Sequence, residues 1–143
     1  MIETETKVVR HELRIAAAPE VVWKYWTDPR RMCQWWGREA ELDARPGGPC
    51  VVRLGDGAVM RGEYVELDPY ERIVFTFGWD PSDDGPPVAP GSSRVEVSLA
   101  EIDGQTDMTL VHSGLPIEAL GAHNDGWAYF TGELNAAASA AEW

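Results

Sequence analysis

The first regular pattern in the chain is an alternation. Val9, His11, Leu13 and Ile15 fall on one side of an extended segment, and Arg10, Glu12 and Arg14 fall on the other. This is the period of a half-buried strand, predicted over residues 7–16. The period then changes. Ala18-Pro19-Glu20 reads as a helix start, with Pro19 in the first turn and Glu20 complementing the dipole. Val22 and Trp26 share a helical face with Tyr25 beside them, and Asp28-Pro29 repeats the start signal for a second short helix over 29–35.

Strand patterns follow, separated by turn residues. Residues 50–54 read as a short strand, Gly55-Asp56-Gly57 as a hairpin turn, and residues 58–67 as the next strand. Gly62 inside that strand points to a bulge or a close backbone approach. Ile73, Phe75, Phe77 and Trp79 form the cleanest period-two stripe. Residues 80–92 hold four prolines, two glycines and three aspartates, a long loop expected to act as a lid. Val95, Val97 and Leu99 resume the alternation, Asp103-Gly104 signals a hairpin, and Met108, Leu110 and His112 share one strand face.

After Ser113-Gly114-Leu115-Pro116 the spacing is helical. Leu120, Trp127, Phe130, Thr131, Leu134 and Ala138 fall close to one stripe. Gly121, Gly126 and Gly132 weaken that helix and suggest an irregular stretch before Asp125, or a close approach to a sheet. The predicted order is one strand, two short helices, six strands and a long helix. That is an α+β fold on a mostly antiparallel sheet, read as a single domain over 1–143.

Composition narrows the function. The 143 residues carry 12 basic and 24 acidic side chains, a formal charge of −12. Scattered cations among twice as many anions disfavour nucleic-acid binding and adsorption to an anionic membrane. No apolar run reaches the roughly 20 residues that span a bilayer. The N-terminus shows no secretory pattern, so a cytoplasmic location is expected. Cys33 and Cys50 belong to no C-x-x-C pair, and Cys33 is expected to be buried among apolar neighbours. With His11, His112 and His123 they show no ligand spacing, so neither metal nor cofactor is expected. Phosphate-binding glycine loops and the G-x-S-x-G elbow are absent. The runs Glu39-Ala40-Glu41 and Asp83-Asp84 read as solvated surface. Seven tryptophans are many for this length and point to an aromatic core or a ligand pocket.

Several segments occur together in one order: Ala18-Pro19-Glu20-Val21-Val22-Trp23, Trp35-Trp36-Gly37, residues 62–69, residues 71–77, residues 106–116 and residues 123–130. As a set they resemble the activator of heat-shock protein 90 ATPase homologue family, within the START-like (SRPBCC) superfamily. The resemblance runs from about residue 8 to the end. It implies the helix-grip fold, a curved antiparallel seven-stranded sheet and two short helices wrapped around the C-terminal helix, with a cavity between. The family takes its name from eukaryotic co-chaperones with an additional N-terminal domain that has no counterpart in these residues.

On that fold, the aromatic residues Trp26, Trp36, Phe75, Phe77, Trp79, Trp127 and Phe130 are expected to face the cavity. Met60, Val97, Leu110 and Leu134 complete its apolar wall, and His112 is the inward polar residue that would orient a ligand. Glu63, Tyr64 and Asn124 are candidate companions, with His123 near the mouth. The leading expectation is non-enzymatic binding of a small hydrophobic or amphipathic molecule. The alternatives are a protein-interaction or chaperone-linked module, and a cyclase- or hydrolase-like enzyme using His112 with Tyr64 or Glu63. A homodimer, through a sheet edge or an aromatic surface, is the expected assembly.

Overall fold

A computed structural model describes residues 8–81 and 88–140. Seven antiparallel strands form one sheet in the order β1-β7-β6-β5-β4-β3-β2. They are β1 (Val9–Ile15), β2 (Glu39–Leu42), β3 (Pro49–Arg53), β4 (Val59–Asp68), β5 (Arg72–Phe77), β6 (Ser93–Ile102) and β7 (Gln105–Ser113). Helices α1 (Pro19–Thr27) and α2 (Pro29–Met32) follow β1, and α3 (Ile117–Ala140) closes the chain. This is the helix-grip arrangement. Pro81 is the last residue described before a gap, so residues 82–87 of the expected lid, with Asp83-Asp84, lie outside the described residues.

Local chemistry explains most boundaries. Asp28 caps α2 by accepting the Arg30 N–H at 3.1 Å, and Pro19 and Pro29 open the two short helices. Helix α2 stops at Met32, three residues short of the expected end. The N–H groups of Trp35 and Trp36 both turn back to Met32 O, and Gly37 at φ +88 redirects the chain. These tight turns bring both rings inward, where Trp35 Nε1 donates to Tyr25 O at 2.9 Å. Asp103 and Gly104 both have positive φ, the backbone a two-residue hairpin needs between β6 and β7.

Gly62 marks a close approach: a Cβ there would sit 1.8 Å from Thr76 O. The β5 stripe ends earlier than expected. Gly78 lies close to Ala89, and beyond it Trp79 is held by one bridge to Met60 and by donating its N–H to Val88 O. Residues 39–42 are a strand as well as solvated surface. They pair with β3 at the sheet edge, where both glutamates stay exposed. Cys33 is only half-buried, because it lies just past the end of α2, whereas Cys50 on β3 is fully buried.

Helix α3 is continuous through all three glycines. A Cβ at Gly121, Gly126 or Gly132 would meet nothing within 4 Å, so none of them serves a close approach to the sheet. The helix buries Ala119, His123, Trp127, Thr131, Leu134 and Ala138 instead. Among the described residues no helix is long and apolar enough to cross a membrane, and no cluster of His, Cys, Asp or Glu could hold a metal ion.

Candidate functional site

The space between sheet and α3 is filled mainly by aromatic rings. Trp26 sits among them, 4.7 Å from Trp35, 6.1 Å from Phe75 and 6.3 Å from Trp127, centroid to centroid. Trp36 lies 5.1 Å from Trp127 and 6.4 Å from both Phe75 and Phe77. Offset and tilted rings at these separations pack favourably and exclude water. Tyr64 is sealed in the same interior, and its hydroxyl donates to Trp26 O at 2.9 Å.

Where the ring packing stops, near the start of α3, a cleft of about 190 Å³ remains. Trp36 and Phe77 line it together with Trp79, just past β5, and Leu54, just past β3. Helix α3 supplies Ala122, His123, Gly126, Trp127 and Phe130. Pockets for drug-sized molecules run from roughly 300 to 1,000 Å³, and a dry cavity of about 150 Å³ accepts benzene. The cleft is thus slightly larger than that dry cavity and smaller than a drug-sized pocket. A larger hollow, about 430 Å³, opens beside Tyr70, but Glu20, Glu71 and Glu101 face it and stay exposed. Hydrated carboxylates offer an apolar ligand little desolvation.

Two histidines, His123 in the cleft wall and His112 behind it, are each fixed by an indole. Trp127 Nε1 donates to His112 Nδ1 at 3.0 Å. An indole nitrogen only donates, so the His112 proton sits on Nε2 and points to Ser93 Oγ at 2.9 Å. Ser93 Oγ in turn donates to Phe77 O at 2.8 Å. The second pair repeats this logic with the nitrogens exchanged. Trp79 Nε1 donates to His123 Nε2 at 2.9 Å, and His123 Nδ1 faces Ala119 O at 2.8 Å. Both rings are thus neutral with both nitrogens committed. Burial, and then the proximity of His123, push His112 down to about 3. Burial likewise holds His123 below the usual histidine range, against the opposing effect of its bond to Ala119.

Of the expected wall, the cleft gathers Trp36, Phe77, Trp79, Trp127 and Phe130. It does not gather Trp26, Met60, Phe75, Val97, Leu110 or Leu134, which are sealed in the core at no more than 1% exposure. They lie on the right faces, but neighbouring rings occupy the space in front of them. His112 is also set back, fully buried behind Trp127. Glu63 and Asn124 are exposed, and Tyr64 is tied to Trp26, so none of the three converges on His112. With its nitrogens committed, His112 is a structural acceptor and donor here, not a free acid or base. Leu54, Ala122 and Gly126 were not foreseen. Leu54 sits on a hairpin turn, and the other two are small residues whose value is the room they leave.

Residues 16–139 match the family model described as activator of Hsp90 ATPase homolog 1-like protein. The chain belongs to that family. An AHSA1-like protein from Rhizobium etli is 41% identical, with a TM-score of 0.72, covering 93% of this chain and 82% of its own. DynU16, from the dynemicin biosynthetic locus, is 27% identical with a TM-score of 0.77 over 91% of this chain. The chain spans only 46% of DynU16. An HSP90 activator from Plasmodium falciparum shares the fold at 20% identity, with a TM-score of 0.73 over 91% of this chain and 94% of its own. No curated protein matches the chain. The AHSA1-like assignment agrees with the helix-grip fold and with the ordered segments read from the sequence.

Proposed function

We propose that this AHSA1-like protein binds a small, apolar, one- or two-ring molecule in the cleft beside α3, without transforming it. The supporting observation is the cleft itself, about 190 Å³ with an almost wholly aromatic and aliphatic wall. Affinity comes from removing ligand rings from water and stacking them on Trp36 and Trp127. For a ligand of about ten heavy atoms at roughly 0.5 kcal/mol each, Kd is on the order of 0.1–1 mM. A natural ligand of better shape binds more tightly.

The test is titration with naphthalene, indole and acetophenone, followed by tryptophan fluorescence and indole NMR signals. Cleft indoles shift with these, whereas cholesterol and palmitate leave them unchanged. Gly126→Leu, which places an isobutyl group in open space at the cleft wall, abolishes binding while preserving the fold. If none of the small aromatics moves the Trp36 or Trp127 signals at millimolar concentration, the reading is wrong.

A chaperone-linked role is the second reading. It draws on the family's name and on Ile117 and Tyr129, which stand 65% and 62% exposed on α3. Stimulation of a heat-shock protein 90 ATPase by the wild type, lost on changing both residues to Ser, supports it. Unchanged ATPase activity at saturating protein removes it.

A further inference from the structure

The residues that wall the cleft carry five polar side-chain atoms: Nε1 of Trp36, Trp79 and Trp127, and the two ring nitrogens of His123. Four are already committed. Trp127 Nε1 goes to His112, Trp79 Nε1 to His123 Nε2, and His123 Nδ1 to Ala119 O. The fifth is different. Trp36 Nε1 has no protein hydrogen-bond partner among the described residues, yet it is not one of the sealed unpaired atoms, which are His11 Nε2 and Trp26 Nε1, so water reaches it; its ring lines the cleft. A ligand that displaces this water leaves the donor unpaired unless it brings an acceptor of its own.

We infer that the cleft selects neutral aromatic ligands bearing a hydrogen-bond acceptor such as a carbonyl, with Trp36 Nε1–H as the specificity-determining donor. This rests on the binding reading above. The two indole–histidine pairs are what make the selection sharp. They consume every other polar side-chain atom of the wall, so the cleft presents one free side-chain donor and no free side-chain acceptor. No lysine or arginine lines it, so an anion entering would lose its hydration without a counter-charge. Sites built to pair one polar group discriminate far more strongly than sites that only match volume.

The experiment uses acetophenone and α-methylstyrene, which share a shape but differ by a carbonyl oxygen against a methylene. The hydrocarbon leaves water more readily, so the two dissociation constants are compared through a cycle with Trp36→Phe, in which that difference cancels. Trp36→Phe weakens acetophenone about five- to tenfold more than α-methylstyrene, the worth of one neutral hydrogen bond. Benzoate binds the wild type at least tenfold more weakly than acetophenone.

Because Trp36 is a core residue, the wild type carries an independent readout. With ¹⁵N-indole-labelled tryptophan, acetophenone moves the Trp36 indole proton downfield and α-methylstyrene does not. If both ligands shift the Trp127 signal but Trp36 stays still and the cycle is flat, the inference is overturned and the binding cleft stands. Benzoate binding as tightly as acetophenone overturns it as well. If neither aromatic reaches the cleft signals, the binding reading and this inference fall together.

Discussion

At the scale of single residues, the same aromatic type serves opposite ends depending on where its polar atom points. Trp26 Nε1 is sealed in the core without a partner, a loss the surrounding ring contacts outweigh. Trp127 Nε1 is fully used, because His112 accepts from it. This makes His112 the most exacting polar residue of the interior. His112→Leu leaves the Trp127 donor without its partner in a dry site, while the Ser93 hydroxyl loses one bond and keeps its own to Phe77 O. A buried unpaired group costs roughly 1–3 kcal/mol, so about 2 kcal/mol of stability is lost at pH 7. Urea unfolding measures it through the shift in midpoint. A loss under about 1 kcal/mol would show that the relay from Trp127 to Phe77 does not hold the interior together. The effect on ligand affinity is small, since the cleft touches Trp127 and not His112.

At the scale of elements, the sequence reads well wherever one face is buried and the other is wet. The β6 and β7 alternations and the Asp103-Gly104 hairpin appear where the periodicity puts them, because a slip of one residue would turn every apolar side chain outward. Edge strand β2 was harder to place, since Ala40 and Leu42 are its whole apolar face, too short a run to show a period. The site was the least legible part. Phe75 and Phe77 are identical in type, stripe and strand, yet only Phe77 reaches the cleft. What separates them is how the rings of Trp26, Trp36 and Trp127 stack across the layer, which no one-dimensional period encodes. Helix α3 offers a cleaner test of element logic. Gly121 and Gly132 are exposed, helical and free of neighbours within 4 Å of a Cβ. Gly121→Ala and Gly132→Ala should each add about 1 kcal/mol, and the pair should be additive because about three helical turns separate them. Thermal and urea unfolding of the single and double variants check this; destabilisation would mean α3 needs those glycines for contacts outside the described residues.

At the scale of the whole molecule, two electrostatic effects oppose each other as pH falls. The chain carries −12 at pH 7 with a sequence pI near 4.5, so acidification relieves mutual repulsion on the surface and favours the compact state. The buried histidines act in the other direction. In the unfolded chain His112 takes a proton near pH 6.5, but in the fold it resists until about 3. Its contribution is therefore complete above pH 6.5, declines as pH falls, and is gone near pH 3. Over that window it amounts to roughly 4–5 kcal/mol, comparable to the lower end of the 5–15 kcal/mol that holds a domain together. The lowered His123 acts with the same sign. Salt separates the two effects, because screening over about 8 Å at 0.15 M weakens the exposed charges and leaves the buried ring almost untouched. The urea midpoint should thus be flat from pH 8 to about 6.5 and fall steadily toward pH 4. In 0.5 M NaCl the fall should persist while the surface contribution shrinks. His112→Gln cannot titrate, so its midpoint is lower at pH 7 but much less dependent on pH. A wild-type midpoint that stays level down to pH 4 in high salt would mean that His112 accepts its proton inside the fold, against the bonding that Trp127 and Ser93 impose on it.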